Sequence, residues 1–150
     1  MSYARDVKEF HEKFGLGYSG KPRALRPSLQ KFRHRAHNEE LTEYKTAVAA
    51  LADALKGKTR SLDDEVAFQL ENALDALVDT VYFLIGTADL HGFYFDAAWQ
   101  RVHAANMAKV RVTKASDSKR RNRNDVKKPP GWRAPRHRDL VIEHAHLPAG

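Results

Sequence analysis

The chain has 150 residues, 42% of them hydrophobic and 30% charged, a size for one domain that excludes two large unrelated ones. It contains no cysteine, and its longest apolar stretch free of charge or histidine, Thr80 to Ala88, falls far short of a membrane span, which needs about 20 residues; disulfide frameworks and thiolate metal sites are excluded as well. The net charge of +7 is uneven: 15 Lys and Arg face 15 Asp and Glu up to Val110, whereas Arg111 to Gly150 holds 11 against 4, so the excess belongs to a tail that suits phosphates, in a nucleotide, a nucleic acid or a membrane surface. The opening Met1 to Glu9 is charged where a signal peptide is apolar, and the expected compartment is the cytoplasm.

Taken in chain order, Tyr3, Val7, Phe10 and Phe14 recur at helical spacing and Gly15 and Gly17 stop the run, predicting a first helix over Tyr3 to Phe14. Lys21 to Pro27 reads as a loop, Ser28 as the cap of a long second helix from Leu29 to about Leu55, and Gly57 as its close. Ser61, with Asp64 three residues on, predicts a capped third helix reaching about Leu90. A fourth is expected from about Asp96 to Arg111. From Thr113 on, Pro, Gly, Ser and basic residues dominate, so an arm with at most a short helix near Leu140 is expected. The fold class is all-α: a four-helix bundle over 1–112 and a basic arm over 113–150.

Within this frame the carboxylates stand out. At about 100° per residue, Glu40 falls within roughly 60° of Leu29, Ala36, Tyr44, Ala47, Leu51 and Leu55, the middle of the apolar face of the second helix, with Glu43 about 60° to one side and Glu39 near the edge. On the third helix Leu70, Leu74, Leu77, Val81 and Ile85 define a core face, while Glu71, Asp75 and Asp79 form a second stripe flanked by Phe68 and Tyr82, which predicts that this stripe is covered too. A buried unpaired carboxylate is costly, so these positions ask for cations. Two helices that each aim two carboxylates, one turn apart, into a shared interior make a four-oxygen cage suited to magnesium or manganese. The alternative is pairing with Arg33, His37 or Arg101, or simple exposure. His34 with His37, and His144 with His146, lack a cysteine or a third matching acid and are expected to be surface or tail histidines, not zinc ligands.

Asn38-Glu39-Glu40-Leu41-Thr42-Glu43 resembles the E-E-x-x-E motif of the all-α nucleoside triphosphate pyrophosphohydrolases, the MazG-like group, and the second acidic motif falls at Asp75 to Asp79. The opening Asp6 to Gly15, the segment Val102 to Lys109, and Ser118-Lys119-Arg120 with Asp125 to Trp132 are similar to the small, mostly viral, phosphoribosyl-ATP-pyrophosphohydrolase-like branch, and for a viral member the expected cytoplasm is that of the host. One departure is that the family's E-x-x-D is replaced by Asp75 and Asp79, four residues apart, which still share a helix face; Glu71 lies one turn before. The resemblance implies hydrolysis of a nucleoside triphosphate to monophosphate and pyrophosphate, with about two or three magnesium or manganese ions. It places Glu40, Glu43, Asp75 and Asp79 as metal ligands, Glu40 as the group handling the water's proton, and Glu39 as a reserve base.

Asn106 and Lys109, turned toward the face of Trp99, Val102 and Val110, match the family's N-x-x-K and look like phosphate ligands. Lys119, Arg120, Lys127 and Lys128 of the tail are expected to add charge over the triphosphate, and Trp132 to anchor the arm, the alternative being to stack on a base. Homodimers or a homotetramer, the tetramer first, are the implied assembly, and a purine deoxynucleotide or purine triphosphate, (d)GTP first, the implied substrate. The competing class is a non-enzymatic helical protein gripping nucleic acid with its basic tail; it leaves Glu40 and Asp79 unexplained and offers one aromatic in the tail for base stacking.

Overall fold

The structure, a computed structural model, describes residues 2–56 and 63–142. Its contacts divide the chain into two units, Met1–Phe93 and Tyr94–Gly150, whereas composition divides it at residue 112; the contacts group the fourth helix with the arm. Among the described residues the protein is all-α apart from one two-stranded ribbon, and no helix there is long and apolar enough to cross a membrane.

The first unit holds α1 (Tyr3–Lys13), α2 (Pro27–Ala54) and α3 (Asp64–Leu90). Helix α1 ends where Gly15 takes φ +67° and the amides of Leu16 and Gly17 turn back to the His11 carbonyl at 2.8 and 3.1 Å, an ending that requires a left-handed residue. Helix α2 starts earlier than expected, with Pro27 in its first turn and Arg26 at the cap. Proline supplies the helical φ and lacks the amide that would have needed a partner there, so Ser28 lies inside the helix. Asp63 caps α3, its carboxylate accepting the Val66 amide at 3.0 Å; Ser61 and Gly57, the expected punctuation, lie outside the described residues.

Helix α2 packs chiefly on α3, and α1 also packs on α3. The buried stripe is built of small residues: Ala36, Ala47 and Ala54 on α2, Ala73, Ala76 and Gly86 on α3, with Val7, Val66, Ile85 and Leu90 around them. This corrects the expected α3 core face. Only Ile85 of the five is buried; Leu70, Leu74, Leu77 and Val81 are exposed, Leu74 at 64%. Close approach of α2 selects the alanine stripe; Leu70 and Leu74 are left exposed, and Leu77 and Val81 line a partly open cavity with Tyr3 and Val7 of α1.

In the second unit, α4 (Phe95–Met107) stops short of Arg111. Val110–Arg111 forms β1, which pairs antiparallel with β2, Val126–Lys127, in the register Val110↔Lys127 and Arg111↔Val126. Val112 behind the ribbon is 1% exposed. Asp125 holds the loop between the strands: it accepts from Ser118 Oγ at 2.6 Å, Arg120 Nη1 at 2.9 Å and the Val126 amide at 2.8 Å. These bonds, Ser118's first, pull its carboxyl below the usual carboxylate range. Beyond the ribbon, the Trp132 indole donates to the Ala105 carbonyl of α4 at 2.7 Å. A short α5 (Arg138–Ile142) is clamped by Arg101, bidentate to Asp139 at 2.6 and 2.5 Å. The arm is therefore built onto α4, with the short helix where the sequence placed one and a ribbon where it placed none.

Candidate active site

Glu40 is the focus of the first unit's polar chemistry. It sits half-buried on α2, and its Oε2 is fully enclosed with no hydrogen-bond partner. Burial raises its carboxyl above the ordinary glutamate value, and the charges of Glu43, Asp79, Glu39 and Asp75 raise it further. The acids of α2 and α3 thus share one electrostatic neighbourhood, as expected from their helical phase. The expected burial of the others is corrected. Glu43 and Glu39 on α2 are exposed, as are Glu71, Asp75 and Asp79 on α3, where Leu70, Leu74 and Leu77 around them are exposed too. Glu39 lies 3.9 Å from Arg35.

The cations considered as counter-charges are engaged elsewhere. Arg33, buried, donates through Nε to Thr87 Oγ1 at 2.9 Å and through Nη2 to the Phe83 carbonyl at 2.5 Å, with its guanidinium 4.7 Å over the Phe83 ring. His37 Nε2 meets the same Thr87 hydroxyl at 2.8 Å, and Arg101 is held by Asp139. Among the described residues Glu40, Glu43, Asp75 and Asp79 have no ion-pair or hydrogen-bond partner.

An enclosed carboxylate oxygen with nothing to bond, within electrostatic reach of four further acids, is the kind of oxygen donor that a hard divalent cation takes. Among the described residues, no three Asp, Glu or His side chains are yet arranged so that they could hold one ion.

The sequence missed the polar network beside these acids. His11 Nδ1 is 2.6 Å from Asp89 Oδ2, both largely buried. A Cβ at Gly86 would stand 2.9 Å from Arg33 Nη2 and 3.2 Å from His11 Nε2, so glycine there lets both side chains reach across α3. His37, expected at the surface, is half-buried, and its Nδ1 is enclosed without a partner; His34 is exposed as expected, and His144 and His146 lie outside the described residues. The available signal was Thr87 and Asp89, polar groups at the end of an apolar run.

In the second unit, Lys109 Nζ donates to Asn106 Oδ1 at 2.8 Å and lies 5.7 Å from the Trp132 ring centre, with Lys128 Nζ 4.3 Å from it. Asn106, Lys109 and Lys128 are thereby gathered around one indole. Arg120 is bound to Asp125. The side chains of Lys119 and Lys127 are exposed and make no hydrogen bond or ion pair among the described residues.

Residues 7–106 match the family described as phosphoribosyl-ATP pyrophosphohydrolase. The chain belongs to that family. It is therefore a MazG-like, all-α pyrophosphohydrolase acting on a nucleotide-like substrate, in a family generally dependent on divalent metal. The match takes in Glu39, Glu40, Glu43, Asp75, Asp79 and Asn106, and ends before Lys109 and the tail lysines. No curated protein matches the chain.

Proposed function

We propose that this pyrophosphohydrolase splits a nucleoside triphosphate between its α and β phosphates, giving a monophosphate and pyrophosphate, and that magnesium or manganese is its cofactor. The observation that carries this is the enclosed, unpartnered Oε2 of Glu40 among Glu39, Glu43, Asp75 and Asp79. A bound divalent cation would supply charge neutralisation for the triphosphate and a more acidic water. Glu40, Glu43, Asp75 and Asp79 are the residues that would hold it. Glu40, whose affinity for a proton is raised by burial and by its acidic neighbours, is suited to take the proton of the attacking water, since a base works best with a pKa drawn toward the operating pH. Glu39, weakly tied to Arg35, stands as the reserve base.

Asn106 and Lys109 are assigned to the phosphates as amide donor and point charge, with Lys119, Arg120, Lys127 and Lys128 adding positive charge. The exposed Leu70, Leu74, Leu77 and Val81 around Asp75 and Asp79 support a homo-oligomer, dimer or tetramer, in which a second copy covers α3 and with it the acids that lie open on one chain. A purine substrate, (d)GTP first, completes the proposal. Incubation with each common ribo- and deoxyribonucleoside triphosphate, with magnesium or manganese, and chromatography of the products tests it. Monophosphate and pyrophosphate are expected; diphosphate and orthophosphate alone would refute cleavage at the α phosphorus.

A further inference from the structure

The Arg33, Thr87 and His37 network fixes more than packing. A threonine hydroxyl has one proton and two lone pairs. Thr87 donates its proton to the Phe83 carbonyl one turn back, at 3.0 Å, and accepts from Arg33 Nε at 2.9 Å. With the Thr87 proton on the Phe83 carbonyl, the remaining lone pair faces His37 Nε2 at 2.8 Å, an arrangement that assigns the imidazole proton to Nε2 and leaves the other nitrogen, Nδ1, as a bare acceptor. That atom is enclosed and has no partner. It stands one turn along α2 from Glu40, whose Oε2 is likewise enclosed and unpartnered; residues three apart on a helix are neighbours.

An enclosed acceptor left unmade opposes folding, and nothing in the packing of α2 on α3 uses this one. The bond to Thr87 needs only Nε2. We propose that His37 is a specificity-determining residue of the nucleotide site, its Nδ1 accepting a hydrogen bond from a neutral N–H or O–H group of the substrate's base or sugar. A cation is disfavoured at this atom. The Arg33 guanidinium is bonded to the same Thr87 hydroxyl, and burial first, then Arg33 and His34, lower the pKa of the imidazole. A neutral donor satisfies Nδ1 without adding charge beside Arg33. This rests on the nucleotide-hydrolysing function proposed above, and it adds the class of group that the site reads.

Two substitutions separate the ring nitrogens. His37→Gln keeps an amide near the Nε2 position to bond Thr87 and removes the Nδ1 acceptor. His37→Asn keeps a polar atom near Nδ1 and gives up Thr87. The expected result is that His37→Gln melts like wild type but raises KM about 10- to 100-fold with kcat little changed, as loss of a bond made equally in ground and transition states does. His37→Asn should melt lower and lose less in KM. Substrates lacking one donor each, inosine for guanosine, 2′-deoxy for ribo and 3′-deoxy, identify the group read: wild type and His37→Gln should converge on the analogue that lacks it. Nitrogen-15 NMR of the imidazole gives a readout independent of turnover, with protonated Nε2 and bare Nδ1 expected. An Nδ1–H tautomer, or a His37→Gln KM equal to wild type for every nucleotide, overturns the role of His37 alone. A wild type that hydrolyses no nucleotide while showing the assigned tautomer overturns the nucleotide-hydrolysing function and, with it, this role.

Discussion

Glu40→Gln discriminates between a carboxylate that belongs to the packing and one kept for chemistry. In the metal-free protein Glu40 is enclosed at Oε2, has no partner, and is ringed by acids that disfavour its charge. Glutamine keeps the volume and removes the charge, although its amide still needs hydrogen bonds. A buried unsatisfied group costs about 1–3 kcal/mol, and recovering part of that predicts a gain of ~1 kcal/mol, or ~2–5 °C in Tm for a protein of this size. The pH dependence follows from the direction of the shift. An acid whose folded pKa is raised costs stability as pH rises through its unfolded value near ~4.3, and the cost stays above the folded value. The advantage of glutamine should therefore be present at neutral pH and vanish below about pH 4, where both proteins carry a neutral side chain. Manganese should then reverse the order, raising the Tm of wild type by preferential binding to the folded state and that of Glu40→Gln much less. Turnover should fall by about 10²- to 10⁴-fold with the loss of a general base. Melting in chelator and in millimolar manganese, at neutral pH and near pH 4, reads all three. A variant less stable than wild type in chelator at neutral pH would place Glu40 in the fold's own support, and wild-type turnover would remove it from the chemistry.

Asp79→Asn should cut kcat/KM by at least ~100-fold, equivalent to ~3 kcal/mol of barrier, and should weaken manganese-dependent stabilisation together with activity; wild-type turnover would exclude Asp79 from metal binding. Lys109→Ala should leave the manganese effect on Tm intact and lower kcat/KM by the equivalent of ~1.5–3 kcal/mol, the value of a charge-assisted hydrogen bond, and an unchanged kcat/KM would confine Lys109 to Asn106 and Trp132. Trp132→Phe keeps an aromatic face for Lys109 and Lys128 but loses the 2.7 Å bond to the Ala105 carbonyl, so amide exchange in residues 126–136 should quicken in line with a loss of ~1 kcal/mol; unchanged protection would refute the anchor. Asp139, held down to about 2 chiefly by its hydrogen bonds from Arg101, should support α5 at all pH values above its unfolded pKa of about 3.9 and lose that support as pH falls toward 2. In Arg101→Met its NMR titration midpoint should return to the ordinary aspartate range.

Helical phase made Glu40 legible because an acid among Leu29, Ala36, Ala47 and Leu51 is conspicuous whatever packs against α2. The same phase placed Asp75 and Asp79 on one face of α3 but could not say whether that face is covered. Coverage depends on which stripe the neighbouring helix chooses, and α2 chose Ala73 and Ala76 over Leu70, Leu74 and Leu77. Large apolar residues mark where burial is worth most, whereas alanine and glycine mark where two helices can come closest. On α3 the second rule decides the internal contact with α2.

The end of α4 and the His37 network were hidden for another reason. Ala104 to Val110 has nothing in it that stops a helix, and the chain leaves the helix after Met107 because Val110–Arg111 finds Val126–Lys127, a pairing set by the Asp125 loop that local propensity does not register. Thr87 likewise sits in an apolar run and, read alone, is a small core residue bonded back to Phe83. It becomes a junction only when α2 docks Arg33 and His37 against it. Docking fixes one nitrogen of His37 at Thr87, and the other lies enclosed a single turn from the enclosed Oε2 of Glu40; the chemistry proposed here depends on these two unsatisfied acceptors.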